Sequence, residues 1–275
     1  MRSLSAKRLY LLDMDGTLYL GERFLPGAAR FLSVIRESGA KYCYMSNNSS
    51  RGTDAYIAKL KRMGIEAYPE EFLTSVDAAI DLLRKEQPEK KGFVLGTASM
   101  LGQLKNAGLS VSGEEPEGAD YVLVGFDREL TYRKLEDVCR LLAERPDIPY
   151  YATNPDWVCP TEFGSVPDCG SICEMIFRAT GCRPKVIGKP EKYMTQLAMR
   201  RFGAAPEETV VVGDRVYTDI AGGVNAGVDS IFVLSGEGVR DDIKRYGFQP
   251  TWIFASVAEA ADAIAGEAEE TAAAE

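Results

Sequence analysis

Short apolar runs alternate with stretches whose apolar residues return every three or four positions, and the alternation continues along almost the whole chain. Such runs, bounded by Gly, Pro or polar clusters, predict strands buried on both faces, and the 3.6-residue period predicts helices packed on them. RLYLLD (8–13) reads as a strand and GAARFLSVIRESG (27–39) as a helix closed by Gly39. KYCYMS (41–46) is a second strand, followed by helix TDAYIAKLKRMG (53–64), with Thr53 as cap and Gly64 as stop. Strand EFLTS (71–75) and helix VDAAIDLLRKE (76–86) complete a first series. A second series runs GFVLG (92–96), helix SMLGQLKNAG (99–108), a Gly/Glu/Pro-rich loop (112–118), YVLVGF (121–126), helix TYRKLEDVCRLLAER (131–145) and IPYYATN (148–154). A long loop to about residue 170 then precedes helix SICEMIFRATG (171–181). The first style resumes with KVIG (185–188), helix EKYMTQLAMRRFG (191–203), TVVVG (209–213), helix TDIAGGVNAG (218–227), DSIFVL (229–234), WIFAS (252–256) and a short helix. The tail GEAEETAAAE is low-complexity, acidic and expected to fray. The class is α/β with a parallel sheet, in two blocks, the second inserted into the first.

Composition changes this picture mainly by exclusion. The 275 residues contain no histidine, which removes Ser-His-Asp and Cys-His catalysis, histidine phosphotransfer and HExxH zinc sites together. A net charge of -9 argues against a nucleic-acid partner, and any phosphate site must gather positive charge locally. No apolar run reaches the roughly 18 to 20 residues of a membrane span. Asp13 and Asp15 interrupt the N-terminal apolar stretch, so no signal peptide is expected and the predicted compartment is cytoplasmic. The six cysteines form no CxxC pair and are expected to be free thiols. Cys169, Cys173 and Cys182 lack the fourth ligand of a structural zinc site.

Parallel open sheets bind ligands beyond the carboxyl ends of their strands. Four strand ends here carry chemistry: Asp13-Met14-Asp15-Gly16-Thr17, Ser46-Asn47-Asn48, Lys189-Pro190, and Asp214 with Asp219. Together they fit phosphoryl transfer. A carboxylate attacking a phosphate dianion needs a hard cation between the two charges, and Mg²⁺ favours carboxylates, carbonyls and water. Asp13 could ligate the ion and attack phosphorus, while Asp15 protonates the leaving oxygen and later activates water. Ser46 and Asn47, through the hydroxyl and adjacent N–H groups, suit the phosphoryl oxygens. Lys189 would neutralise charge on nucleophile and phosphoryl group. Asp214 would complete the metal site, with Thr17 behind it and Asp219 holding a metal-bound water or Lys189. Taken singly, the Ser-Asn-Asn turn and Gly-Lys-Pro are weak signals, and Asp219 could be a helix first-turn charge. Their coincidence, in order and at strand ends, carries the reading.

DMDGT (13–17), Ser46, Lys189 and GDRVYTD (213–219) resemble the four motifs of the haloacid dehalogenase (HAD) superfamily, over nearly the whole chain. SNN (46–48), TNPD (153–156) and GKP (188–190) narrow the resemblance to the NagD-like, p-nitrophenylphosphatase branch with a C2-type cap. The resemblance implies a Rossmann-like core with an inserted, smaller α/β cap, and a Mg²⁺-dependent phosphatase. It implies Asp13 as nucleophile and ligand, Asp15 as acid/base and carbonyl ligand, and Asp214 as the third protein ligand. Spacing supports the insertion independently: Ser46 follows Asp15 by 31 positions, one crossover, and Lys189 follows Ser46 by 143, a crossover plus a domain. The expected core is 1–76 with 184–275, and the expected cap 77–183.

The cap should choose the substrate. By resemblance the loop from Asn154 to Phe163 faces the site, with Asn154 and Asp156 as candidates for substrate or interdomain contact, and the relatives imply a homodimer through the cap. Trp157 could cover a ring or pack cap to core; Arg51 could reach phosphate or stay on the surface; Cys159 is a spectator; Gly170-Ser171 opens a helix. The expected partner is a small phosphorylated metabolite: a nucleoside monophosphate, p-nitrophenyl phosphate, a sugar or glycerol phosphate, phosphoglycolate or pyridoxal phosphate. The competing reading is a receiver-like module phosphorylated on Asp13 without turnover, against which Asp15 and the large insertion argue.

Overall fold

The computed structural model describes residues 3–161 and 163–274, the side chains of 268–274 excepted. The chain divides into two compact units, Met1–Ser46 with Tyr56–Leu73 and Lys189–Glu275, and Asn47–Ala55 with Thr74–Gly188.

The first unit is built on a six-stranded sheet in the order Trp252–Phe254, Asp229–Val233, Thr209–Gly213, Leu9–Leu12, Lys41–Ser46, Phe72–Thr74. Leu9–Leu12, wholly buried, pairs in parallel with Thr209–Gly213 on one side and Lys41–Ser46 on the other. Both faces are covered, so the strand reads as an unbroken apolar run. Strand order reverses between Leu9–Leu12 and Thr209–Gly213. Asp13 and Asp214 each follow one strand of that pair, at the switch point where such sheets bind ligands. Tyr10, Phe31, Leu12, Tyr44, Phe72, Val212 and Ile231 belong to the core around the sheet, with the Tyr10 and Phe31 rings packed edge-to-face. Burying a side chain of this size is worth about 1.5–3 kcal/mol, which anchors the strand ends that present the polar residues.

The second unit has a five-stranded parallel sheet in the order Lys185–Val186, Tyr150–Ala152, Tyr121–Val124, Lys91–Leu95, Ser110–Ser112. KVIG, expected to resume the first series, instead supplies its edge strand, Lys185 opposite Tyr151 and Val186 opposite Ala152. Two residues of strand are too few for sequence pattern to choose between sheets. Strand Ser110–Ser112 ends where the loop expected at 112–118 begins, and the antiparallel hairpin Val158–Thr161 with Gly164–Pro167 occupies a segment expected to be loop. Pro160 and Pro167 sit in a two-stranded ribbon, where a missing N–H is tolerated, and this is why the segment does not read as strand. The small hairpin Tyr19–Leu20 with Arg23–Phe24 and helix Arg240–Tyr246 are too short to show a period. The C-terminal helix runs Val257–Ala274, through the tail expected to fray, because Ala and Glu are strong helix formers; Glu275 and Glu162 lie outside the described residues.

Candidate active site

Asp13 leaves the end of its strand with its N–H on the Val212 carbonyl at 2.8 Å, which ties it to the neighbouring strand that leads into Asp214. Asp13, Asp214 and Asp219 each place a carboxylate oxygen within 4.8 Å of the other two, the one group of three or more such ligands among the described residues. Lys189 reaches into it, donating to Asp13 Oδ1 at 2.6 Å, Asp219 Oδ1 at 2.7 Å and the Met45 carbonyl at 3.4 Å. Two of the three carboxylates thus share one ammonium. Burial, then Asp13 and Asp219, pushes Asp214 up to about 7. Burial also pushes Asp219 up to about 6, Lys189 pulling down and Asp13 adding to the push. Burial works to lower the Lys189 pKa, but Asp13 and Asp219 more than offset it and hold the ammonium above its ordinary range.

The surrounding turns fix this geometry. Asp214 accepts from Thr17 Oγ1 at 3.4 Å and the Glu237 N–H at 2.8 Å, and its carbonyl accepts from the Gly238 N–H at 3.1 Å. Asp219 Oδ2 accepts from the Arg215 N–H at 3.2 Å. Gly16 has φ +89°, and a Cβ there would lie 2.4 Å from Asp214 Oδ2; one on Gly236 would lie 2.0 Å away. Both turns press backbone directly against the carboxylate. Asp15 stands apart, its side chain 60% exposed, with Lys59 Nζ 3.5 Å from Oδ1. Partial burial pushes its pKa up and Lys59 pulls it down; solvent on the open side screens both effects. Ser46 Oγ lies 2.9 Å from the Tyr56 hydroxyl.

Residues 10–110 match the family described as haloacid dehalogenase-like hydrolase, and residues 186–260 the HAD-hydrolase-like family. An acid sugar phosphatase from Staphylococcus aureus is 34% identical over 92% of this chain and 96% of its own. The chain belongs to the haloacid dehalogenase-like hydrolases. The crystal structure of a 4-nitrophenylphosphatase from Thermotoga maritima superposes with TM-score 0.89 at 37% identity, over 95% of this chain and 98% of that one. NagD from Escherichia coli K-12 gives TM-score 0.83 at 33% identity, over 92% and 98%. This HAD hydrolase is therefore a phosphatase of the NagD-like branch, and the receiver-like reading falls away.

In the second unit of this HAD phosphatase, Asn154 and Asp156 are buried, Asn154 with 0% exposure. The Asn47 amide donates to Asp156 Oδ2 at 3.1 Å; the Asn47 carbonyl accepts from Asn154 Nδ2 at 2.8 Å and Ser75 Oγ at 2.7 Å. The side chains expected to make substrate or interdomain contacts thus bind the chain at Asn47. Trp157 and Arg51 are exposed, Cys159 is half-buried, and Ser171 Oγ donates to the Trp157 carbonyl at 2.5 Å. All six cysteines are free thiols. No helix among the described residues is long and apolar enough to cross a membrane.

Sequence reasoning missed Arg215, Lys59 and the loop at 235–238. Arg215 Nη2 pairs with Glu237 Oε2 at 3.0 Å. Burial opposes its charge, but Asp13 and the other acids around it hold it fully charged. The strand-end rule, applied to four strands, could have found the loop after Asp229–Val233: Ser235 Oγ donates to the Gly16 carbonyl at 3.0 Å, and Gly236 presses on Asp214.

Proposed function

We propose that this HAD phosphatase hydrolyses small phosphomonoesters through an aspartyl-phosphate on Asp13, with Mg²⁺ as its ion. The observation that carries the reading is the crowding of Asp13, Asp214 and Asp219, with one buried lysine paired to two of them. A donor set made only of oxygen, with the Asp214 carboxyl pushed up to about 7 by burial and its acidic neighbours, fits a hard divalent cation. Asp13, Asp214 and the Asp15 carbonyl would hold it, and bound there it supplies the positive charge that lets a carboxylate meet a phosphate dianion.

Asp13 attacks phosphorus, forming the O–P bond as the bond to the leaving oxygen breaks. Lys189, paired to Asp13 Oδ1, leaves the other oxygen to attack and offsets the charge. Asp15 donates its proton to the leaving oxygen. Water then attacks the acyl phosphate while Asp15 takes a proton from it, and phosphate leaves with Asp13 restored. The Ser46 hydroxyl and the backbone at Asn47 serve the phosphoryl oxygens; Thr17 and Asp219 hold Asp214 and Lys189. The inserted segment, expected at 77–183, selects among small metabolite phosphates and excludes macromolecules. A cytoplasmic site and association through the inserted unit belong to the same proposal, the latter checked by sedimentation.

The test is phosphate release from p-nitrophenyl phosphate and a panel of metabolite phosphates with Mg²⁺, then with EDTA. Turnover that EDTA abolishes and Mg²⁺ restores supports the reading. Full turnover in EDTA, or none on any ester, overturns it.

A further inference from the structure

We propose that Lys59 is the positioning residue for Asp15, holding that carboxylate at the edge of the site, clear of the acidic cluster. The inference rests on the reading of Asp15 as the acid/base group and deepens it.

Of the four aspartates at these strand ends, three crowd together, and two of those share Lys189. Asp15, only two residues from Asp13, is not one of them. Its neighbour is a second lysine, with Nζ 3.5 Å from Asp15 Oδ1. Lys59 comes from helix Thr53–Arg62, whose other late basic residues, Lys61 and Arg62, are exposed. The Lys59 side chain is only 15% exposed. Its ammonium lies 3.8 Å from the centroid of the Tyr19 ring, a favourable cation–π distance.

The seat is made by one short turn. Asp15 and Tyr19 form a β-bridge, the Gly16 N–H donates to the Tyr19 carbonyl at 2.8 Å, and Tyr19 is fully buried. The same five residues therefore supply the ring beneath the ammonium and the carboxylate beside it. An ion pair with so exposed an acid adds little to fold stability, so its consequence is orientation. Lys189 is the competing attraction, drawing carboxylates inward. Without Lys59, Asp15 is free to turn toward Lys189 or into solvent, and proton transfer to a leaving oxygen tolerates little misplacement.

The experiment uses two substrates and reads kcat/KM, which reports only the steps up to formation of the acyl phosphate. An alkyl ester such as glycerol phosphate needs a proton on its leaving oxygen; p-nitrophenolate departs without one. Lys59→Met keeps the stem over Tyr19 and removes the charge; Lys59→Arg keeps the charge. We expect Lys59→Met to lose about tenfold or more on glycerol phosphate, part of the roughly 10²–10⁴ that a general acid contributes, and under about threefold on p-nitrophenyl phosphate. Lys59→Arg should recover most of the loss. Equal losses on the two esters, or none, overturn the proposal, because a merely structural role cannot distinguish leaving groups. Lys59→Gln, read by the same ratio, replaces the Met variant if that one does not fold. Asp15→Asn on the same pair separates the two readings: if it too loses equally on both, the acid assignment itself fails, whatever Lys59 does.

Discussion

The two sheets follow the same topological rule and put it to different ends. Each begins at an inner strand, adds strands on one side, then reverses and adds the rest on the other. In the first, the reversal between Leu9–Leu12 and Thr209–Gly213 brings three carboxylates together, two of them paired to one buried lysine. In the second, the reversal lies between Lys91–Leu95 and Tyr121–Val124, and the charges close on themselves. Asp127, with no exposed side-chain surface, is matched by Lys134 at 2.7 Å. Lys134 also donates to the Gly96 and Glu129 carbonyls, and Glu129 accepts the Ala98 N–H at the start of the next helix. On the proposed reading, a switch point becomes a reactive site where crowded carboxylates leave room for a cation, whose charge then also meets the phosphate. Where the chain completes its own pairs, the same topology is only scaffold.

Asp13→Asn strikes this contrast hardest. Turnover should fall below detection, since the carboxylate proposed to form the acyl phosphate is gone. With one of three crowded charges removed, the variant in EDTA should melt no lower than the parent. Surviving turnover would falsify the assignment of the nucleophile.

Lys134→Met tests the balanced switch point. It strands Asp127 without its partner, and stability should fall toward the lower end of the about 3–5 kcal/mol seen for broken buried pairs, Lys134 being part-exposed. kcat of the folded fraction should hold steady. A large drop in kcat with normal unfolding would mean that the second switch point is not inert.

Gly16→Ala is a smaller perturbation of the reactive one. The left-handed backbone alone costs about 1–2 kcal/mol, and the new Cβ displaces Asp214. Loss of that support should weaken Mg²⁺ binding by about 10–100-fold, seen as a rightward shift in metal titrations at unchanged nucleophile chemistry. An unmoved titration curve would show that Asp214 is not held by this turn.

The mildest test is pH. Asp214 and Asp219 keep their protons to about pH 7 and about pH 6 in the metal-free fold, whereas unfolded carboxyls release theirs near about 4. Between those limits the folded state binds more protons than the unfolded chain, so metal-free stability falls as pH rises. Mg²⁺ must displace the same protons, so its affinity should climb over that window. Calorimetry from about pH 5 to 8 reads both slopes; flat profiles would remove the crowding argument.

Much of this was legible in the chain because the signals are local. An apolar run such as Leu9–Leu12 has to be buried in a parallel sheet, and the residue after it has to emerge at the ligand-binding edge. That places Asp13, Ser46 and Asp214 without coordinates, and the absence of histidine narrows the chemistry to carboxylates, Lys, Ser/Thr, Cys, Tyr or a metal. Only tertiary structure decided the rest. Asp13 and Asp219 meet because strands about two hundred positions apart lie in register, while Asp15, two positions away, is drawn to a helix at Lys59. Asn154 and Asp156 turn inward to Asn47, more than a hundred positions back in the chain. Spacing tells which strand end a side chain leaves; its direction is set by whichever charge or carbonyl packing brings within reach, and that depends on the whole fold.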